Sequence, residues 1–111
     1  LGSVGESIRT VIAARAGTMR DGEVYALNDP YRGGTHLPDL VVVRPVLLGG
    51  EVIAVAATCL HHQDVGGMTP GSIPPNATEI YQDGLRLPPL RWRTADGIDA
   101  NVQTILDANS R

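Results

Sequence analysis

Two valine-dense runs, Leu40 to Leu48 and Glu51 to Leu60, are separated only by Gly49-Gly50. A Gly-Gly pair supplies positive φ at both central positions of a two-residue turn, so the runs predict an antiparallel hairpin over about 40–48 and 51–60. Apolar residues occupy both phases of the strand alternation, and the hairpin is therefore expected to be covered on both faces. A chain of 111 residues has material for a single centre, which makes the hairpin the expected core of one domain over 1–111.

The flanking segments read as shorter elements. Ser3 and Glu6 have capping-box spacing, Val4, Ile8, Val11 and Ile12 recur at helical intervals, and Gly17 is placed to end a helix over about 4–16. Glu23 to Leu27 alternates as a short strand and stops at Asn28-Asp29-Pro30, where a glycine- and proline-rich loop over 28–39 begins. Residues 61–75 hold Gly66, Gly67, Pro70, Gly71, Pro74 and Pro75 and predict a second long loop. Asn76 or Thr78 is placed to cap a short helix through Glu79 to Gln82, and Pro88-Pro89 should keep an extended stretch over 85–92 at a sheet edge. Asp99 caps a last helix carrying Val102, Ile105 and Leu106. The expected class is α+β: an antiparallel hairpin core with an extra short strand, flanking N- and C-terminal helices and long Gly/Pro-rich loops.

Charge narrows the function. The net charge is −3, and the nine cationic side chains are scattered, which argues against nucleic acid as a partner. All nine are arginine, so the lysine of a G-x-x-x-x-G-K-[ST] phosphate loop is missing and any ATP must be held by another chain or domain. The single cysteine, Cys59, permits no disulfide within the chain and favours a reducing compartment. No apolar stretch reaches the roughly 18 residues that span a bilayer, and no basic-then-hydrophobic leader is present, so a cytoplasmic protein without membrane contact is expected. Starting at Leu1 without a methionine, and already helical there, the chain reads as a piece of something longer.

All three histidines flank the hairpin, His36 just before it and His61-His62 just after it. An antiparallel pairing brings those ends side by side, so His36, Asp39, His61 or His62, and Asp64 converge at one end of one sheet. Imidazole with carboxylate suits zinc, manganese or iron, although each residue taken alone is more often an ordinary polar group. Side chains at i and i+3 of a straight strand point to opposite faces, so His36 and Asp39 need a bend; Pro38 supplies one, for which a cis Leu37-Pro38 bond in a type VI turn is one route. His61 and His62 should diverge, leaving one as ligand and the other to a catalytic or supporting role. Gly33-Gly34 and Gly66-Gly67 either supply turns or let backbone N–H groups approach an anionic substrate, and Arg32 is either a carboxylate binder or a solvated cation.

The stretches "LNDPYRGGTHLPDLVVVRPV", "LHHQDVGGMTPGSIPPNATEIYQDGLRLPP" and "NVQTILDANSR" resemble the hydantoinase B family, which also includes the acetone carboxylase alpha subunit and the C-terminal half of 5-oxoprolinase. The resemblance runs from about Gly5 to the end, and full-length members are several times longer. It implies a metal-dependent subunit of an ATP-dependent cyclic-amide hydrolase that opens hydantoin or 5-oxoproline, in a hetero-oligomer with a hydantoinase A-type partner that binds ATP. It implies His36, Asp39 and His62 as ligands of a divalent metal (Mn, Zn or Fe), with Asp64 and His61 as the groups that move protons. Arg32, Gly33, Gly34, Gly66 and Gly67 are then the expected substrate-binding positions. The alternatives are manganese-dependent ketone carboxylation of the acetone carboxylase type, or an inactive or scaffolding piece that docks on the A subunit.

Overall fold

A computed structural model describes residues 2–111 and shows an α+β architecture. Helix α1 (Val4–Arg15) is followed by β1 (Val24–Leu27), the hairpin strands β2 (Asp39–Leu48) and β3 (Glu51–His61), β4 (Leu90–Thr94), β5 (Gly97–Ile98) and helix α2 (Ala100–Asn109). The five strands form one antiparallel sheet in the order β3-β2-β1-β4-β5. Among the described residues no helix is long and apolar enough to cross a membrane.

The hairpin turns where expected, with φ of 60° at Gly49 and 87° at Gly50, the left-handed pair a type I′ turn requires. Its ladder is not uniform. Leu48 lies opposite Glu51 and Leu47 opposite Val52, but Val46 lies opposite Ala54, so Ile53 is an extra residue in a β-bulge. Beyond the bulge every pair is displaced by one, and the ladder ends with Asp39 opposite His61.

Alternation on β1 and β2 divides the core between the two sheet faces. Tyr25, Leu27, Val41 and Val43 meet Val11 of α1 on one face. Ala26 and Leu40 meet Leu87 on the other, where Leu106 of α2 and Trp92 of β4 complete the packing. The hairpin is thus covered on both faces at β2 only. β3 is the edge strand and stays exposed along its length except at Val55, which packs against the cluster beneath α1.

Several local expectations change. Ser3 has helical backbone angles (φ −81°, ψ −25°) and makes no side-chain cap on α1, and Glu6 pairs with Arg9 at 2.8 Å instead of reaching back. The short helix is a 3-10 turn, Ile80–Gln82, held by the Gln82 amide oxygen, which accepts from the backbone N–H of Thr78 and Glu79. Pro88-Pro89 precede β4 without interrupting it, and β4 lies inside the sheet because the short β5 takes the edge. The Leu37–Pro38 bond is trans. The bend before β2 comes instead from a turn in which the Asp39 N–H donates to the His36 carbonyl at 2.9 Å.

Candidate metal centre

The open end of the hairpin gathers three ligating side chains. Asp39 begins β2 and His61 ends β3 as direct cross-strand partners, so their side chains leave the same face of the sheet. The turn over 36–39 brings His36 to the same carboxylate from the loop side. His61 Nδ1 lies 2.8 Å from Asp39 Oδ1, and His36 Nδ1 lies 3.4 Å from Asp39 Oδ2, so each oxygen faces one imidazole. The two rings stack with centroids 5.5 Å apart and planes inclined by 12°. One potential ligand atom from each residue falls within 4.8 Å of the others, and all three side chains are partly open to solvent.

The hydrogen bond to His61 is the chief reason that the Asp39 carboxyl is held below its ordinary pKa; burial opposes it, and the charge and hydrogen bond of His36 add to the lowering. The Thr35 hydroxyl donates to Oδ2 at 3.3 Å. An ionised carboxylate flanked by two imidazoles is the kind of nitrogen and oxygen donor set that suits a divalent cation.

His61, and not the expected His62, joins His36 and Asp39. The reason is the bulge at Ile53. A regular hairpin closed at Gly49-Gly50 would set Leu60 opposite Asp39 and put His62 on the aspartate's face; the one-residue displacement reverses this. His62 pairs its N–H with the Pro38 carbonyl at 2.8 Å and faces the other side of the sheet. There it lines an apolar cavity of about 120 Å³ with Leu40, Leu87, Trp92 and Leu106.

Asp64 is engaged elsewhere. Its Oδ1 accepts from the Gly66 N–H at 2.7 Å and its Oδ2 from the Gly71 N–H at 2.8 Å, and Arg111 approaches both oxygens at 3.4 Å. The N–H groups of Gly71 and Gly66 and the Arg111 charge keep this carboxyl below its usual range against the effect of burial. With both oxygens committed, Asp64 organises the 64–72 loop.

The glycines expected at substrate meet the chain's own backbone. A Cβ on Gly34 would collide with the Asn28 carbonyl, and one on Gly33 would sit 2.9 Å from Thr10 Oγ1 of α1. At Gly67, where φ is +90°, a Cβ would come within 2.6 Å of the Gln82 carbonyl oxygen, and at Gly66 within 2.8 Å of the Asn109 oxygen. Arg32 ends a 3-10 turn, Pro30–Arg32, beside Asp29.

Two residues that sequence reasoning passes over hold the site's surroundings. Buried Asn28 donates to the Leu37 carbonyl at 2.7 Å and to the Leu85 carbonyl at 2.9 Å, and accepts from the Leu87 N–H, tying the loop that carries His36 to the strand-like segment 85–87. Ser72, buried at φ +54°, links Val65, Gly66 and Asp64 through its hydroxyl. An asparagine before Asp-Pro signals a turn and gives no sign of burial; a serine within a Gly/Pro-rich run gives none either.

Residues 1–111 match the family model described as Hydantoinase B/oxoprolinase. The 5-oxoprolinase of Saccharomyces cerevisiae is 45% identical over 83 residues, 70% of this chain and 6% of the yeast protein. The acetophenone carboxylase delta subunit of Aromatoleum aromaticum is 34% identical over 84 residues, 76% of this chain and 12% of that subunit. The crystal structure of an ATP-dependent caprolactamase from Pseudomonas jessenii superposes on the whole chain with a TM-score of 0.92 and 32% identity, covering 19% of that protein. A nucleotide-free acetone carboxylase structure shares the fold, with a TM-score of 0.83 at 19% identity over 14% of its chain. This chain therefore corresponds to a small part of each of these proteins.

Proposed function

The chain belongs to the hydantoinase B/oxoprolinase family, and we propose that His36, Asp39 and His61 hold a divalent metal ion serving the ATP-dependent opening of a cyclic amide. The observation that carries this reading is the convergence of ligand atoms from two imidazoles and one carboxylate within 4.8 Å at the end of a paired strand ladder. Manganese, zinc and iron all suit such nitrogen and oxygen donors. When bound, the ion supplies Lewis acidity toward a carbonyl or phosphorylated oxygen.

The chain's own groups prepare that site. Asp39 orients both rings through their Nδ1 atoms, and Thr35 steadies the carboxylate. Asn28 fixes the His36 loop through the Leu37 carbonyl. His62 lines the neighbouring cavity on the opposite face, and Asp64 positions the loop that follows.

In this reading the nucleotide is held by another chain or domain of the hydantoinase A type, the two working together in the cytoplasm. The cyclic amide is favoured because the relatives named 5-oxoprolinase and caprolactamase share 45% and 32% identity with this chain. Ketone carboxylation is the second reading, favoured by the 34% identity with the acetophenone carboxylase delta subunit.

The test supplies the subunit with its A-type partner and ATP, then compares 5-oxoproline, hydantoin, caprolactam and acetone before and after chelation. Ring opening that is lost on chelation and restored by manganese or zinc is expected. Ring opening indifferent to metal removal contradicts the metal reading, and turnover of acetone alone replaces the amide with the ketone.

A further inference from the structure

A second cluster lies on the segment that leads to the site. Asp29 is buried, its side chain 6% exposed, and its Oδ1 accepts from the Tyr31 N–H at 3.0 Å. Its Oδ2 is approached by two guanidinium groups at once, Arg32 Nε at 4.0 Å and Arg86 Nε at 3.8 Å. Arg86 lies between two exposed aromatic rings, its Cζ 5.1 Å from the centroid of Tyr81 and 6.0 Å from that of Tyr31, and its Nη2 donates to the Tyr81 hydroxyl at 3.3 Å. Tyr81 and Arg86 also line a cavity of about 400 Å³ whose other walls include Gly66, Gly67, Gly84 and Leu85.

From this arrangement we infer that Arg32 and Arg86 form a receptor for the oxyanion of a small ligand, with Tyr31 and Tyr81 as its flanking walls. Two positive groups on one carboxylate leave one positive charge in excess. Both contacts to Asp29 run through Nε beyond hydrogen-bond range, so the forked ends of the guanidinium groups retain donors for a second oxyanion. The rings hold Arg86 by cation–π contact and limit its freedom before any ligand arrives. Arg86 and Tyr81 line the adjoining open cavity of about 400 Å³, which favours a carboxylate or phosphoryl group on a small ligand over a macromolecular surface. The receptor is independent of the metal reading: it shares no residue with His36, Asp39 and His61.

The experiment titrates the protein with acetate and, separately, inorganic phosphate at fixed ionic strength, following the ring resonances of Tyr31 and Tyr81. Saturable shifts with at least one anion are expected, and the preferred anion tells a carboxylate ligand from a phosphoryl one. Arg86→Gln should weaken that binding by about tenfold or more, the loss of a charge-assisted hydrogen bond. Metal uptake at the hairpin end should not change, so failure here and failure of the metal site are distinguishable. If Arg86→Gln does not fold, Arg32→Gln, on a side chain 60% exposed, answers the same question. Linear, non-saturating shifts with both anions, or saturable binding unchanged by loss of either charge, would overturn the receptor.

Discussion

The two strands of the hairpin are both predominantly apolar and have opposite surroundings. β2 is packed on both faces, with Val41 and Val43 under α1 and Leu40 against Leu87. β3 is open apart from Val55, and Leu40 at 2% exposure lies directly opposite Leu60 at 44%. At this leucine pair burial follows place in the sheet, not residue type: β2 has a neighbouring strand on each side, while β3 has one. The site draws on both conditions. Asp39 sits at the end of the buried strand, and His61 sits at the end of the accessible one.

The sharpest way to break this comparison is the same substitution on each side of one cross-strand pair. Leu40→Ala removes a buried side chain and should cost about 2–4 kcal/mol, whereas Leu60→Ala should cost less than about 1 kcal/mol. Equal losses in urea unfolding would show that β3 is covered in solution.

The second prediction asks whether the buried condition extends to β1. Burial first, and the hydrogen bond to Glu23 second, push the Tyr25 phenol up to about 12 from its ordinary 10.0. A raised folded-state pKa means that the stabilising contribution is fully present below pH 10, where folded and unfolded forms are both protonated, and is lost as pH rises from 10 toward 12. A shift of this size corresponds to about 3 kcal/mol. Unfolding free energies followed through that window should fall by this amount, and Tyr25→Phe should abolish the fall; a slope identical in both proteins sinks the idea.

The third prediction concerns the open strand and is the smallest in stability. Thr58, Cys59 and Leu60 are exposed, so deleting Ala57 should cost less than about 1 kcal/mol while drawing His62 into the place opposite Asp39. In that background the two histidines should exchange roles, metal uptake becoming sensitive to His62→Ala and indifferent to His61→Ala. Persistence of the original dependence would show that β3 has slipped to restore its register.

The hairpin is legible in the sequence because Gly49-Gly50 has one economical conformation between two strand-like runs, and the convergence of His36, Asp39 and the His61-His62 pair follows from that pairing alone. Which histidine meets Asp39 is not legible. It depends on whether the strands carry equal numbers of residues between the turn and the site, and nothing in Val52-Ile53-Ala54 distinguishes a bulged residue from a paired one. Asp64 illustrates a second limit: proximity in sequence to His61 and His62 suggests shared chemistry, but Gly66 and Gly71 supply N–H groups that claim its carboxylate first. Hydrogen bonds to backbone leave no composition signal, and the same applies to the tie that Asn28 makes to Leu37 and Leu85.

The central claim is that the bulged register selects His61 for the site and turns His62 away. Manganese or zinc affinity of the wild type, measured by calorimetry beside His61→Ala and His62→Ala, tests it most directly. Loss of one of three protein ligands should weaken binding by at least about tenfold in His61→Ala, while His62→Ala should bind as the wild type does. The reverse pattern, with His62→Ala losing the metal and His61→Ala keeping it, would contradict the account.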